Sequence, residues 1–274
     1  MDQPRTVVIG ISGCSSSGKT TLARLLRDIF PETFILHEDD FYKAESELPI
    51  KEGLADWDCP EAISIPDLEA ALVHIHETGT FPVSSDVPTT SSSSHRRSNH
   101  GCCPPNPSLS PNPSTTTNSP PPSPNSHPQQ PTLDSKEDLN TVGPCPATPH
   151  QIARATAAVQ TWLSPGHPGS LIFPPSQSPP SRKKTTKICL LDGFLLFSPP
   201  PNPSLTTTTP TTATPFARVT SLLDIKLFLQ VSRAKAVQRR EARDGYVTME
   251  GFWKDPPGYV EKVVWPNYVE AHRW

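Results

Sequence analysis

The chain is predicted to be an α/β protein built on a parallel sheet, and three stretches of its 274 residues predict it. The first is residues 10–26, Gly-Ile-Ser-Gly-Cys-Ser-Ser-Ser-Gly-Lys-Thr-Thr-Leu-Ala-Arg-Leu-Leu, which follow the apolar run Val7-Val8-Ile9. An apolar strand, a glycine- and serine-rich loop and a helix start come there in one run, with Leu22, Leu25, Leu26 and Ile29 at helical spacing. The second is residues 33–43, a short strand running into Glu38-Asp39-Asp40-Phe41-Tyr42-Lys43. The third is residues 187–197, an apolar strand carrying Asp192.

The first stretch fits the Walker A pattern at Gly13, Gly18, Lys19 and Thr20. Glycines let the backbone turn tightly, so that successive N–H groups and the positive end of the helix converge on polyphosphate oxygens. Gly13, Cys14, Ser15, Ser16, Ser17, Gly18, Lys19, Thr20 and Thr21 are therefore the candidate phosphate site. Lys19 would reach the β- and γ-phosphates and Thr20 the Mg²⁺ between them. A strand over 5–11, a helix over 18–29 and a second strand over 33–36, paired with the first, follow from the apolar spacing. Acids at the carboxyl end of such a strand lie where open α/β sheets bind ligands. A carboxylate there can take the proton of an attacking hydroxyl, and Asp39 is the candidate base; a solvated turn is the plainer reading of the same acid pair.

Trp57 and Asp58 stand just before a helix whose stripe is Ile65, Leu68, Leu72 and Ile75. They can offer a ring face and a ribose-diol acceptor to a nucleoside, although Trp57 is equally readable as packing. Asp192 has the Walker B layout and would hold Mg²⁺ beside the loop. A strand over 224–231 leads to a basic helix, 232–246, that stops at a glycine and carries Arg239, Arg240 and Arg243. Such a helix is a solvated face or an arginine lid over ATP, and two phosphate-handling elements nearby favour the lid. A last helix is expected over 258–274.

Composition limits the alternatives. Of 36 prolines, 28 lie between Pro82 and Pro215, so the flanks look globular and the middle does not. The reading is one discontinuous domain, 1–80 and 187–274, interrupted by 81–186 and by a second Pro/Thr-rich insert, 198–218. Both inserts are expected to be disordered, because they hold too little apolar area to offset ordering entropy. A short helix at 150–163, with Ile152, Ala155, Val159, Trp162 and Leu163 on one face, breaks the first insert, and disorder is expected to resume over 164–180. Its Pro-rich runs suit SH3- or WW-type partners. A net charge of −3 argues against nucleic acid as a partner. No apolar run reaches the roughly 18 residues of a membrane span. Six cysteines without metal-type pairing fit a reducing, cytoplasmic setting, with the nucleus as a second compartment.

Together, the phosphate loop, Glu-Asp-Asp-Phe-Tyr-Lys, Asp-Trp-Asp-Cys-Pro-Glu-Ala, Leu-Asp-Gly-Phe-Leu-Leu-Phe, Arg-Arg-Glu-Ala-Arg, Pro-Pro-Gly-Tyr and Val-Trp-Pro-Asn-Tyr resemble the nicotinamide riboside kinases. These are P-loop nucleoside kinases related to uridine kinases. The resemblance implies a three-layer P-loop NTPase fold and phosphorylation of the 5′-hydroxyl of nicotinamide riboside by ATP and Mg²⁺, feeding NAD synthesis. It implies that Lys19 and Asp39 are catalytic and that Thr20, Asp39 and Asp192 attend the metal, with aspartate at 192 where the family usually has glutamate. Asp39, Asp40, Phe41, Tyr42, Trp57, Asp58, Arg240 and Tyr246 would line the nucleoside pocket, while Arg239 and Arg243 would contact ATP. The family's chains continue past the position of Trp274 with a further strand and helix, which the resemblance implies are missing here. A uridine/cytidine-type kinase and an inactive P-loop scaffold that presents its Pro-rich insert are the alternatives.

Overall fold

A computed structural model describes residues 6–82, 145–173, 186–197, 215–248 and 251–272. Four strands, β1 (Thr6–Gly13), β2 (Thr33–His37), β5 (Lys187–Asp192) and β6 (Ile225–Leu229), form one parallel sheet in the order β2-β5-β1-β6. The expected pairing of the second strand with the first is thereby corrected. β5 lies between them, with Ile11 opposite Asp192 on one side and His37 opposite it on the other. Burial explains the order: Ile188 to Leu191 of β5 are at most 8% exposed, which requires neighbours on both sides, whereas β2 and β6 are only partly covered and take the edges.

Side chains alternate across the sheet, and each face has its own helices. On one face Val8, Leu36, Cys189 and Leu191 pack against Leu68, Ala71, Leu72 and Ile75 of α2 (Ile65–Thr78) and Val219 of α5 (Ala217–Ser221). On the other, Ile11, Ile188 and Leu190 meet Ala23, Leu22 and Leu26 of α1 (Lys19–Ile29). The α2 stripe foreseen from spacing is thus the core of that layer.

Between β2 and α2 the chain makes a small hairpin, β3 (Ile50–Lys51) and β4 (Leu54–Ala55). The expected short helix exists as α3 (Pro149–Leu163), started by a capping box between Thr148 and Gln151. Its covered side is Ile152, Thr156, Val159, Trp162 and Leu163, while Ala155 is exposed. The disorder expected from residue 164 does not begin there: α4 (Gly169–Ile172) follows, and Phe173 packs among the α1-side residues and against Trp162. The second insert is shorter than expected at its end, because Phe216 and Val219 are buried in the main core. Otherwise the Pro-rich tracts expected over 81–135, 174–180 and 198–214 lie outside the described residues, apart from Phe81 and Pro82.

The basic helix, α6 (Arg233–Glu241), ends at Ala242, four residues before Tyr246. Gly245 does not stop it. Its φ of +148° starts the hairpin of β7 (Tyr246–Val247) and β8 (Phe252–Trp253), and a Cβ there would strike the Phe252 ring. The last expected helix is two pieces, a π-helical turn Val260–Val264 and α7 (Trp265–Ala271). Pro266 supplies the reason: it brings no N–H and its ring crowds the preceding turn, which widens.

Candidate active site

The sheet order sets three carboxyl ends side by side: Gly13 of β1, Asp192 of β5 and His37 of β2. The phosphate-type loop leaves the first. Gly13 has φ +150° and its missing Cβ admits the Leu229 carbonyl; Gly18, at φ +106°, opens α1 with no side-chain cap. The first N–H groups of α1, which a helix leaves without an intrahelical acceptor, thus have no side-chain cap from residue 18. The Ser16 and Ser17 hydroxyls are buried without a protein partner, and the Lys19 ammonium donates to the Cys14 carbonyl at 3.2 Å. The Arg239 guanidinium donates to the Ser16 and Ser17 carbonyls at 3.4 and 3.3 Å, so α6 closes over this loop.

Thr20 Oγ1 donates to Asp192 Oδ2 at 2.6 Å, and His37 Nδ1 lies 3.4 Å from the same oxygen. Burial works to raise the Asp192 pKa, but His37, Lys19 and Thr20 outweigh it and hold the carboxyl below its usual range. A hydroxyl beside an ionised carboxylate, next to a glycine cradle, offers the hard oxygen ligands that suit Mg²⁺ with a polyphosphate, so the residues fit that group. Glu38, which sequence reasoning passed over, is fully buried. Its Oε2 accepts from the N–H of Phe194 at 2.5 Å and of Leu195 at 3.4 Å, tying the end of β2 to the loop after Asp192. Burial pushes its pKa up to about 7 against the pull of these donors and of Lys19.

Asp39 and Asp40 lie in the 3₁₀ turn Glu38–Phe41, both half-buried, at the same sheet edge as the loop. The Phe41 ring packs into the α2-side core, while its carbonyl accepts from Ser64 N–H at 2.8 Å. Tyr42 turns the other way, stacked on Phe194 at 6.4 Å and edge-on to Trp57 at 5.3 Å. Trp57 is 8% exposed, with Trp253 of β8 at 5.8 Å, and its indole N–H is buried without an acceptor, as is the Tyr246 hydroxyl. Of the two readings posed for Trp57, packing is the one these contacts show.

Asp58 and Arg240, foreseen separately, are partners. Arg240 Nη1 and Nη2 donate to Asp58 Oδ1 and Oδ2 at 3.0 and 3.2 Å. Asp255, not foreseen, grips the other side of the guanidinium at 2.6 and 3.2 Å and accepts from Trp253 Nε1 at 3.0 Å. The Arg240 guanidinium lies 5.1 Å from the Tyr246 ring centre, and that of Arg243 stacks on the same ring at 4.7 Å. Asp255 stands directly before the Pro-Pro-Gly-Tyr run; that position was the available signal for it, as Glu-Asp-Asp-Phe-Tyr-Lys was for Glu38.

A glycine cradle, a hydroxyl–carboxylate pair and a ring-lined acidic recess on one sheet edge define an ATP-dependent nucleoside kinase. The chain is 28% identical over 268 residues to the nicotinamide riboside kinase of Schizosaccharomyces pombe, covering 98% of this chain and 80% of that one. It is 23% identical to that of Saccharomyces cerevisiae, over 99% and 80%. A shorter match, 41% over 69 residues, covers 25% of this chain and 35% of human nicotinamide riboside kinase 1. No family model matches. Over most of its length the chain is thus similar to fungal nicotinamide riboside kinases.

Proposed function

We infer that this chain is an ATP-dependent kinase that phosphorylates the 5′-hydroxyl of nicotinamide riboside to give nicotinamide mononucleotide, a step of NAD synthesis. The observation that carries the reading is the sheet order β2-β5-β1, which sets the loop, Asp192 and the Asp39 turn along one edge. We read the architecture as a three-layer P-loop NTPase fold on the same ground.

In this reading the loop N–H groups and Lys19 hold the ATP phosphates, and Arg239 covers them from α6. Arg243, stacked on the Tyr246 ring one turn further on, is the second arginine of that cover. Thr20, Asp39 and Asp192 are the residues that would hold Mg²⁺, which supplies charge neutralisation to the polyphosphate. Asp58 and Arg240 orient the ribose: each carboxylate oxygen of Asp58 keeps a lone pair beyond its bond to Arg240. Trp57, Tyr42 and Tyr246 wall the base, and Asp40 lines the entry beside them. Asp39 accepts the proton of the 5′-hydroxyl as the hydroxyl oxygen attacks the γ-phosphorus, the bond from that phosphorus to the β,γ-bridging oxygen breaks and ADP leaves, and α6 over the loop keeps water from taking the hydroxyl's place.

Asp39→Ala tests the base. Turnover should fall by a factor on the order of 10³ while ATP still binds, and unchanged turnover would remove Asp39 from that role. Assaying uridine beside nicotinamide riboside with one preparation tests the substrate, and a clear preference for uridine would overturn it.

A further inference from the structure

The base recess holds more negative charge than ribose binding requires. Arg240 is 6% exposed and carries two carboxylates, Asp58 on one side and Asp255 on the other, so the buried cluster has two negative charges against one positive. One carboxylate would neutralise the guanidinium and still leave it to orient a diol. Three of the roughly four acceptor positions of Asp255 are already taken, since Oδ1 accepts from Arg240 and Trp253 and Oδ2 from Arg240. What it adds is charge.

The surroundings concentrate that charge. Trp57, Trp253, Tyr246 and Tyr259 ring the cluster, and aromatic faces are themselves negative. The Tyr42 hydroxyl is pushed well above the usual phenol range, by burial first and then by Asp39, Asp58 and Glu38, with Arg240 alone opposing them. Asp56, a buried acid two residues before Asp58, is engaged by Asn267, which in turn takes Lys51, so that acid and cation offset each other. Arg243 on the Tyr246 ring is half-exposed, and solvent screens it.

We propose that Asp255 is a specificity-determining residue: by giving the aromatic recess a net negative charge through Arg240, it selects a cationic ring over an uncharged ring of the same size. This rests on the functional reading above, because the base of nicotinamide riboside is a pyridinium cation. A desolvated cation facing rings and an uncompensated carboxylate gains what a neutral base cannot. Discrimination by charge reaches further than discrimination by one methylene in an apolar pocket.

The test compares nicotinamide riboside with its uncharged 1,4-dihydro form, which keeps the ribose, the carboxamide and nearly the same size. Full-length wild type should favour the cation in kcat/KM by about tenfold or more, the effect of one partly shielded charge. Asp255→Asn, which keeps an acceptor for Arg240, should cut that preference on the order of tenfold through KM for the cation, and Asp255→Glu should retain it. A loss in Asp255→Asn that is equal for both ribosides would make Asp255 merely structural and overturn the inference. A wild-type ratio near one would do so as well, whether or not the variant folds. No turnover of either riboside by wild type would remove the functional reading itself, and the inference with it.

Discussion

At Glu38 and its neighbours, single residues set both the charge and the shape of the site. The Glu38 carboxyl takes a proton more readily in the folded protein than in the unfolded chain, its pKa being raised from 4.5 to about 7 by burial. Between those values the folded state binds more protons, so stability must fall as pH rises through that window and level off above it. Full expression of the shift is worth on the order of 3 kcal/mol, and Glu38→Gln, which keeps an acceptor for Phe194 and Leu195, should flatten the dependence. Denaturant titrations of both proteins at pH 5 and pH 8 would show it, and parallel curves would contradict it. Thr20 makes a different prediction. Thr20→Val deletes the hydroxyl bonded to Asp192 and should weaken Mg-ADP binding by about tenfold while ADP without metal binds as before, read by calorimetry. Gly13, Lys19 and Thr20 were legible because one motif states them within a few residues, and Asp192 because it ends an apolar strand of its own. Glu38 and Asp255 were not: Glu38 owes its role to Phe194, 156 residues away, and Asp255 to an arginine 15 residues back that it meets only once the intervening hairpin has closed.

The elements were legible where their cause is periodicity, and obscure where it is a neighbour. The stripe of α2 showed in the spacing of Leu68, Leu72 and Ile75, all now fully buried. Leu72→Ala should therefore cost about 2–5 kcal/mol in unfolding free energy, measured by chemical denaturation. The β7–β8 hairpin is not legible in the sequence, and Gly245 reads there as the end of a helix, because nothing local shows that Phe252 and Trp253 close over it. Gly245→Ala forces a Cβ into those groups at φ +148°, a strain of about 1–3 kcal/mol. Since Trp253 and Tyr246 belong to that hairpin, KM for the riboside should rise while KM for ATP stays put. Equal change in both would show that the hairpin does not serve the base recess.

At the scale of the whole molecule, one sheet is assembled from strands on both sides of a long low-complexity tract. Every residue placed in the site lies outside residues 88–132, and the sheet is made without them. Closing a loop depends only logarithmically on its length, so deleting 88–132 should shift stability by less than about 1 kcal/mol and leave kcat intact. Thermal melts and steady-state assays of the deletion would check this, and lost turnover would mean that the tract serves the chemistry. Among the described residues no helix is long and apolar enough to cross a membrane.

The kinds of chemistry this chain carries were readable without coordinates: a loop that turns only with glycines, a lysine and a hydroxyl following it, and acids ending apolar strands are each written within about ten residues, where covalent geometry alone fixes the spacing. Which strand stands between which, and which arginine meets two aspartates, were not readable. Strand order follows from how much of each strand can be buried on both faces, and the Asp58–Arg240–Asp255 cluster joins segments 182 and 15 residues apart only after the sheet and the hairpin have closed. Burial then multiplies the strength of charges that a sequence merely counts.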